Sequence, residues 1–151
     1  MKISKNITFK EATRSNTAIK KGIDNNPNET QLKAMVIVAT MIFEPVRNHF
    51  AKQIRINSFF RSVELNKKIG GSKTSQHCEG EAIDMDGLEG LTNAEIFHYI
   101  KDNLNFDQLI WEFGNDEQPD WVHASYNSNG INRKQVLKAY NTKPTYRNYE
   151  D

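Results

Sequence analysis

The sequence predicts an α+β fold in which a mainly antiparallel sheet carries helices packed on one face. Segments with helical periodicity come mostly first along the chain, and segments with strand character come mostly later. The later segments are joined by hairpin-length connections containing Gly, Asp, Asn and Pro, which favour antiparallel pairing between neighbours. With 151 residues, the chain has enough surface to bury for one domain with its own core.

The first long helix is predicted to follow a loop at residues 22–29, where Gly, Pro, Asp and Asn cluster. Thr30 is the predicted N-cap, and apolar residues then recur at intervals of three and four as far as Val46. Because proline cannot donate a backbone hydrogen bond, Pro45 should kink or divide this helix, which we expect to continue to about His49.

The rest of the chain alternates shorter helices with strands. Residues 53–58 alternate apolar and polar side chains, as a half-buried strand does. Thr92 is a predicted N-cap, and Ile96 and Ile100 lie on one face of the helix that follows. The predicted elements are a strand at 53–58, a helix at 62–69, a polar loop at 72–81, a strand at 82–85, a helix at 92–103, and strands at 108–113, 121–126 and 135–140.

Composition excludes several classes of function. Lys and Arg number 20 and Asp and Glu 19, so the formal charge of +1 argues against a nucleic-acid partner. Cys78 is the single cysteine, which rules out an intramolecular disulfide and a thiolate zinc site. No apolar run approaches the ~20 residues of a membrane span. The N-terminus lacks the apolar stretch of a signal peptide, so we expect cytoplasmic synthesis without membrane insertion.

Two short clusters hold candidate metal ligands. His77 and Asp84 fall within one polar stretch, and Asp120 and His123 form a second cluster later in the chain. Catalytic zinc takes imidazole nitrogen and carboxylate oxygen from three protein ligands and leaves one position open. Asp84 and His123 lie on predicted strands, and two adjacent antiparallel strands could aim both side chains at one point. The spacing alone leaves open that these histidines are incidental, since no helical histidine pair forces the geometry.

Three motifs follow one another along the chain. Residues 58–62 read S-F-F-R-S, residues 75–84 follow the pattern S-x-H-x-x-G-x-A-x-D, and residues 121–123 follow the pattern W-x-H. Together they resemble the zinc D-Ala-D-Ala carboxypeptidase and murein endopeptidase family, in which the first segment is S-G-Y-R-S, so Phe59 and Phe60 replace the usual Gly and Tyr. This family shares its metal-site fold with the hedgehog signalling domain.

The resemblance covers roughly residues 30 to 126. It implies a hedgehog/DD-peptidase-like fold with the zinc site on the sheet. Residues 1–151 would then form a single zinc peptidase domain, with its core at about residues 30–140. No separate wall-binding domain fits beside it, and we expect a monomer.

The resemblance also implies a role for each matching residue. Asp120 corresponds to the general base that activates the zinc-bound water. Arg61 corresponds to the arginine that binds the substrate and polarises its carbonyl, a task suited to a guanidinium that stays ionised. Ser75 corresponds to a serine that hydrogen-bonds substrate backbone, although a loop-capping hydroxyl is an equal alternative. The implied ligands of one Zn²⁺ ion are His77, Asp84 and His123.

Four other residues with reactive side chains have more than one role to consider. Glu112 lies on a predicted strand and could orient a ligand histidine, act as an alternative base, or face outward from the strand. Cys78 follows a ligand candidate, but side chains alternate along an extended chain, so we expect it to point away. His49 and His98 lie on predicted helices without a neighbouring carboxylate motif and are expected to be ordinary surface or core residues.

The predicted activity is zinc-dependent hydrolysis of a peptidoglycan stem-peptide bond next to a D-amino acid, by a carboxypeptidase or an endopeptidase. The alternative is an inactive metal-binding module that binds the cell wall or belongs to a virion. Asp120 favours the enzyme, because a binding module has no need of a base. Since the substrate lies outside the membrane and no export signal is evident, we expect release by phage lysis, delivery by a virion, or export by an unknown route.

Overall fold

A computed structural model describes residues 1–151, and it contains eight strands and six α-helices. The helices are α1 (Phe9–Thr13), α2 (Asn16–Lys21), α3 (Glu29–Val38), α4 (Glu44–Phe50), α5 (Val63–Lys68) and α6 (Asn93–Asn103), with a π-helical turn at Ala39–Phe43 and a 3₁₀ turn at Gln76–Glu79. The strands are β1 (Lys2–Ser4), β2 (Ile7–Thr8), β3 (Ile54–Ser58), β4 (Ala82–Gly87), β5 (Gln108–Glu112), β6 (Trp121–Ser125), β7 (Gln135–Ala139) and β8 (Tyr146–Asn148).

Six strands form the main sheet in the order β3-β4-β6-β5-β7-β8, and β1 pairs with β2 in a separate hairpin. Every pair in the main sheet is antiparallel except β5 with β7, which are parallel. The predicted α+β fold with a mainly antiparallel sheet is therefore confirmed. β8 was not predicted, because its three residues are too few to show a period.

The two faces of the main sheet differ in character. On β4, Ile83 and Met85 point into the core, whereas Asp84 between them points to the opposite face. Helix α6 packs over β4, β5 and β6 through Ile96, Phe97 and Ile100, which belong to the same hydrophobic cluster. Helix packing on one face thus leaves the other face of β4 and its neighbours free to carry polar groups. No helix is long and apolar enough to cross a membrane.

Residues 29–50 form one nearly continuous helical segment. The π-helical turn directly precedes Pro45, the residue that cannot donate the next hydrogen bond, so proline divides the segment as expected. The predicted N-cap Thr30 is wrong. Asn28 caps the helix instead, because its side chain accepts from the Gln31 backbone N–H while the Gln31 side chain accepts from the Asn28 N–H.

The first 21 residues also belong to the fold, although the sequence analysis assigned no element to them. Ile3 and Ile7 contribute to the core cluster. Buried Asn25 donates to the Thr13 carbonyl at 2.8 Å and accepts from the Ser62 N–H at 2.7 Å. These bonds attach the N-terminal segment to the loop that precedes α5.

Candidate metal centre and catalytic cleft

Three potential metal ligands converge on the face of the sheet opposite α6. Asp84 on β4 and His123 on β6 are register partners, so their side chains stand next to each other. The His123 Nδ1 atom lies 3.0 Å from Asp84 Oδ1, and the His77 Nε2 atom lies 3.2 Å from Asp84 Oδ2. The sequence predictions named these three residues, and the structure brings them together.

His77 is oriented by its own backbone surroundings. The Ser75 hydroxyl accepts from the His77 backbone N–H at 3.3 Å and caps the 3₁₀ turn. Gly80 ends the turn at φ +74°, and a Cβ there would lie 2.5 Å from the Gln31 carbonyl oxygen of α3. The His77 Nδ1 lies 2.8 Å from the Phe59 carbonyl, which can only accept, so Nδ1 carries the proton and Nε2 is free to bind a metal.

Asp84 stays ionised at the centre of the group. Burial raises the pKa of its carboxyl, but the charges and hydrogen bonds of His77 and His123 outweigh burial and hold the pKa well below its ordinary value. Asp84 is 8% exposed and the His123 side chain 12%. A buried carboxylate that keeps its negative charge between two imidazoles is suited to bind a cation.

The donor set fits zinc. One ligand atom from each of His77, Asp84 and His123 lies within 4.8 Å of the others. Two imidazole nitrogens with one carboxylate oxygen make the three-ligand set of catalytic zinc sites, in which a fourth position stays open. Cys78 is buried outside this group, and burial raises the pKa of its thiol. It points away as expected, although it lies in a 3₁₀ turn rather than in extended chain.

The three residues lie in a cleft of about 840 Å³. Arg61 lines it and is held by Asn66 Oδ1 at 3.0 Å and Ser58 Oγ at 3.3 Å, so its guanidinium is fixed while part of it faces the cleft. Ser75 also lines the cleft, so its hydroxyl both caps the turn and borders the substrate space.

Glu112 is on the same face of the sheet as the metal-ligand group. It lies two residues after Ile110, the register partner of His123, and therefore shares the face of His123. Glu112 is 5% exposed and lines the cleft. Burial raises the pKa of its carboxyl to about 7, with nearby His123 lowering it and Asp84 raising it. Of the alternatives for Glu112, the structure excludes an outward-facing strand carboxylate.

Asp120 is not brought to the metal-ligand group. It precedes His123 by three residues and lies in the bend just before β6. Asp120 is exposed and does not line the cleft, and its carbonyl accepts from Asn93 of α6 at 3.2 Å. The role of Asp120 as general base therefore stays a prediction, and Glu112 is the carboxylate that lines the cleft together with the metal ligands.

Most residues that line the cleft lay outside the sequence predictions, Tyr146 among them. Tyr146 on β8 and Trp121 on β6 line the cleft together with Arg61. The three residues of β8 are too few to show a strand period, so the sequence carried no usable signal for this strand. His49 stacks on Tyr99 at a centroid distance of 4.2 Å and takes no part in the metal-ligand group, as expected.

Comparison with protein families agrees with this geometry. The family model described as Peptidase M15 matches residues 5–125, which include the metal-ligand group, Arg61 and Glu112. No curated protein matches the chain. Since the match spans most of the sequence and includes the metal-ligand group, the chain belongs to the Peptidase M15 family.

Proposed function

We propose that this protein is a zinc-dependent peptidase that hydrolyses a peptidoglycan stem-peptide bond next to a D-amino acid. The observation that carries the proposal is the cleft in which a His-Asp-His group and a buried glutamate share one face of the sheet. Membership of the Peptidase M15 family supports a metallopeptidase acting on peptidoglycan. The motifs at residues 58–62, 75–84 and 121–123 support a bond adjacent to a D-residue.

His77, Asp84 and His123 would hold the zinc ion. Zinc supplies Lewis acidity when bound, polarising a carbonyl and lowering the pKa of water towards ~7. The residues of the chain then determine where protons move. Glu112 is the proposed general base, because it faces the metal-ligand group from the cleft wall whereas Asp120 does not. Glu112 would take a proton from the attacking water and return it to the leaving amine nitrogen.

Arg61 is the proposed partner of the substrate carbonyl. Its bonds to Asn66 and Ser58 leave the guanidinium fixed at the cleft, where it would stabilise negative charge on the carbonyl oxygen during attack. Ser75 borders the same space and would contact the peptide backbone. A binding module without catalysis would have no use for a buried carboxylate at this position, since burial of Glu112 disfavours its charged form.

The proposal is tested on zinc-loaded protein with purified muropeptides, with the fragments weighed by mass spectrometry. We expect about one zinc per chain, its loss in His123→Ala, and cleavage next to a D-residue by the unmodified protein. Glu112→Gln should keep zinc and lose about 10²- to 10⁴-fold in rate, the range of general acid–base catalysis. Asp120→Asn is the matched control and should cleave at the unmodified rate.

Each outcome separates one part of the proposal. Zinc-loaded protein that binds muropeptides without cleaving them would establish the binding module instead. Loss of activity in Asp120→Asn with full activity in Glu112→Gln would return the role of base to Asp120. The masses of the fragments distinguish a carboxypeptidase, which releases a single terminal residue, from an endopeptidase, which cuts within the stem or cross-link.

A further inference from the structure

The C-terminal hairpin of β7 and β8 builds one wall of the catalytic cleft. Both strands lie beyond residues 5–125, where the family match ends. β7 extends the sheet by parallel pairing with β5, the strand that carries Glu112, and β8 then pairs with β7. Residues of this hairpin line the same cleft as the metal-ligand group, among them Tyr146.

The strand register places Tyr146 in a row with Glu112. Ala139 of β7 is the register partner of Glu112 on one side and of Tyr146 on the other. Directly opposed residues share a face, so all three side chains point to the cleft side. Two strand spacings separate the outer backbones by about 10 Å. Ala139, between the two larger residues of this row, is small and 2% exposed.

The turn before Tyr146 is held in place by Arg147. Its guanidinium donates to the Pro144 carbonyl at 3.1 Å and to the Thr142 hydroxyl at 3.1 Å. The same guanidinium lies over the Tyr140 ring at 4.2 Å. These contacts order the hairpin tip from within, so that the position of Tyr146 does not depend on a ligand.

The Tyr146 hydroxyl is an unused hydrogen-bond donor. It makes no hydrogen bond within the protein, and its side chain is partly exposed to the cleft. Burial and the negative charges of Glu112 and Asp84 raise the pKa of the phenol, so it keeps its proton at neutral pH. A neutral donor facing an open cleft can bind the carbonyl or carboxylate oxygen of a peptide.

Tyr146 and Arg61 flank the metal-ligand group from opposite sides. Arg61 bonds to Ser58 of β3 at one edge of the sheet, and Tyr146 lies on β8 at the other edge. Asp84 and His123 are on β4 and β6 between these edges. A peptide bound across the ligands therefore reaches the guanidinium with one part and the phenol with another.

We propose that Tyr146 is a substrate-contacting residue whose hydroxyl donates a hydrogen bond to an oxygen of the peptide bound across the metal-ligand group. This inference rests on the proposed peptidase function. The C-terminal hairpin would then contribute to substrate selection, because a peptide without an oxygen at Tyr146 cannot form this hydrogen bond.

Tyr146→Phe tests the contact, with Tyr140→Phe as the matched control that removes a hydroxyl from the same hairpin outside the cleft. For zinc-loaded protein acting on a D-Ala-terminated stem peptide, we expect Tyr146→Phe to lower kcat/KM about tenfold, chiefly through KM, as for loss of one hydrogen bond. Tyr140→Phe should match the unmodified protein. Equal kcat/KM values in all three would overturn the proposal.

A binding measurement separates this inference from the peptidase function. Calorimetry with the same peptide is performed on zinc-loaded Glu112→Gln, with and without Tyr146→Phe. We expect Tyr146→Phe to weaken the Kd about tenfold. A weakened Kd without turnover by the unmodified protein would refute the peptidase function but support the contact. An unchanged Kd would refute the contact even where the unmodified protein cleaves. Thermal unfolding and zinc content should be unchanged in both Phe variants.

Discussion

Replacing Glu112 with Gln is expected to stabilise the metal-free protein at alkaline pH and to leave its stability unchanged in acid. The carboxyl is 5% exposed, and burial raises its pKa from the ordinary value of 4.5 to about 7. The folded protein therefore binds this proton more tightly than the unfolded chain does. Gln has nearly the same shape and carries no charge at any pH in this range.

The magnitude follows from the difference between the two pKa values. Below pH 4.5, the carboxyl is protonated in both states and its full contribution to stability is present. As pH rises through the interval up to about 7, the unfolded chain loses the proton first, and this contribution is lost. Above that interval, the folded protein has lost about 3 kcal/mol that the Gln variant retains.

The assay is urea unfolding of chelator-treated protein at pH 4 and pH 8. Glu112→Gln should match the unmodified protein at the lower pH and exceed it by about 3 kcal/mol in free energy of unfolding at the higher pH. Glu117→Gln, an exposed residue of the loop between β5 and β6, is the control and should show no such dependence. A difference between the Glu112 proteins that is the same at both pH values would refute the argument that burial raises this pKa.

Three further predictions concern residues that support the cleft, each measured by urea unfolding. Asp107→Asn should lower the free energy of unfolding by about 2 kcal/mol or more, because buried Asp107 accepts two side-chain hydrogen bonds from Arg133. A change near zero would show that water solvates this pair. Gly80→Ala should lower the free energy of unfolding by about 3 kcal/mol and Gly22→Ala by about 1 kcal/mol, because both glycines have positive φ but an added Cβ would clash only at Gly80. Equal losses in the two variants would contradict the clash. Asn25→Ala should lower the free energy of unfolding by about 2 kcal/mol because it removes three hydrogen bonds. A variant as stable as the unmodified protein would show that water replaces these bonds.

Helix starts were predicted correctly where a single capping residue determines where the helix begins. Thr92 caps α6 as expected, because its side chain accepts from Glu95 in a reciprocal capping box. The helix at 62–69 is also found, with Ser62 as its cap. Thr30 failed as a cap because Asn28, two residues earlier, competes with it and has Gln31 at the right spacing.

The three metal-ligand residues could be predicted from the sequence because they lie in short motifs. His77 and Asp84 fall within one turn and the strand that follows it, so chain connectivity alone keeps them close. His123 is distant in sequence, and only its motif pointed to the same site. Strand register then completes the group, since Asp84 and His123 are direct partners.

Which carboxylate borders the metal-ligand group depends on tertiary structure. A carboxylate three residues before a ligand histidine matches the motif for the base, but Asp120 is exposed and does not line the cleft. Glu112 reaches the site through pairing of β5 with β6, a long-range contact that spacing in the sequence does not encode. Its burial, which raises its pKa, is likewise a property of the packed sheet.

The sequence by itself determined the α+β class, the main helices and strands, and the three residues that could bind zinc, because periodicity, capping and short motifs act over a few neighbouring positions. Tertiary structure alone decided which carboxylate faces those residues, how Arg61 is held, and that Tyr146 lines the cleft from β8, the strand that pairs antiparallel with β7 at the edge of the sheet. These features depend on which strands pair and in which register, and the packing of the whole core selects that pairing.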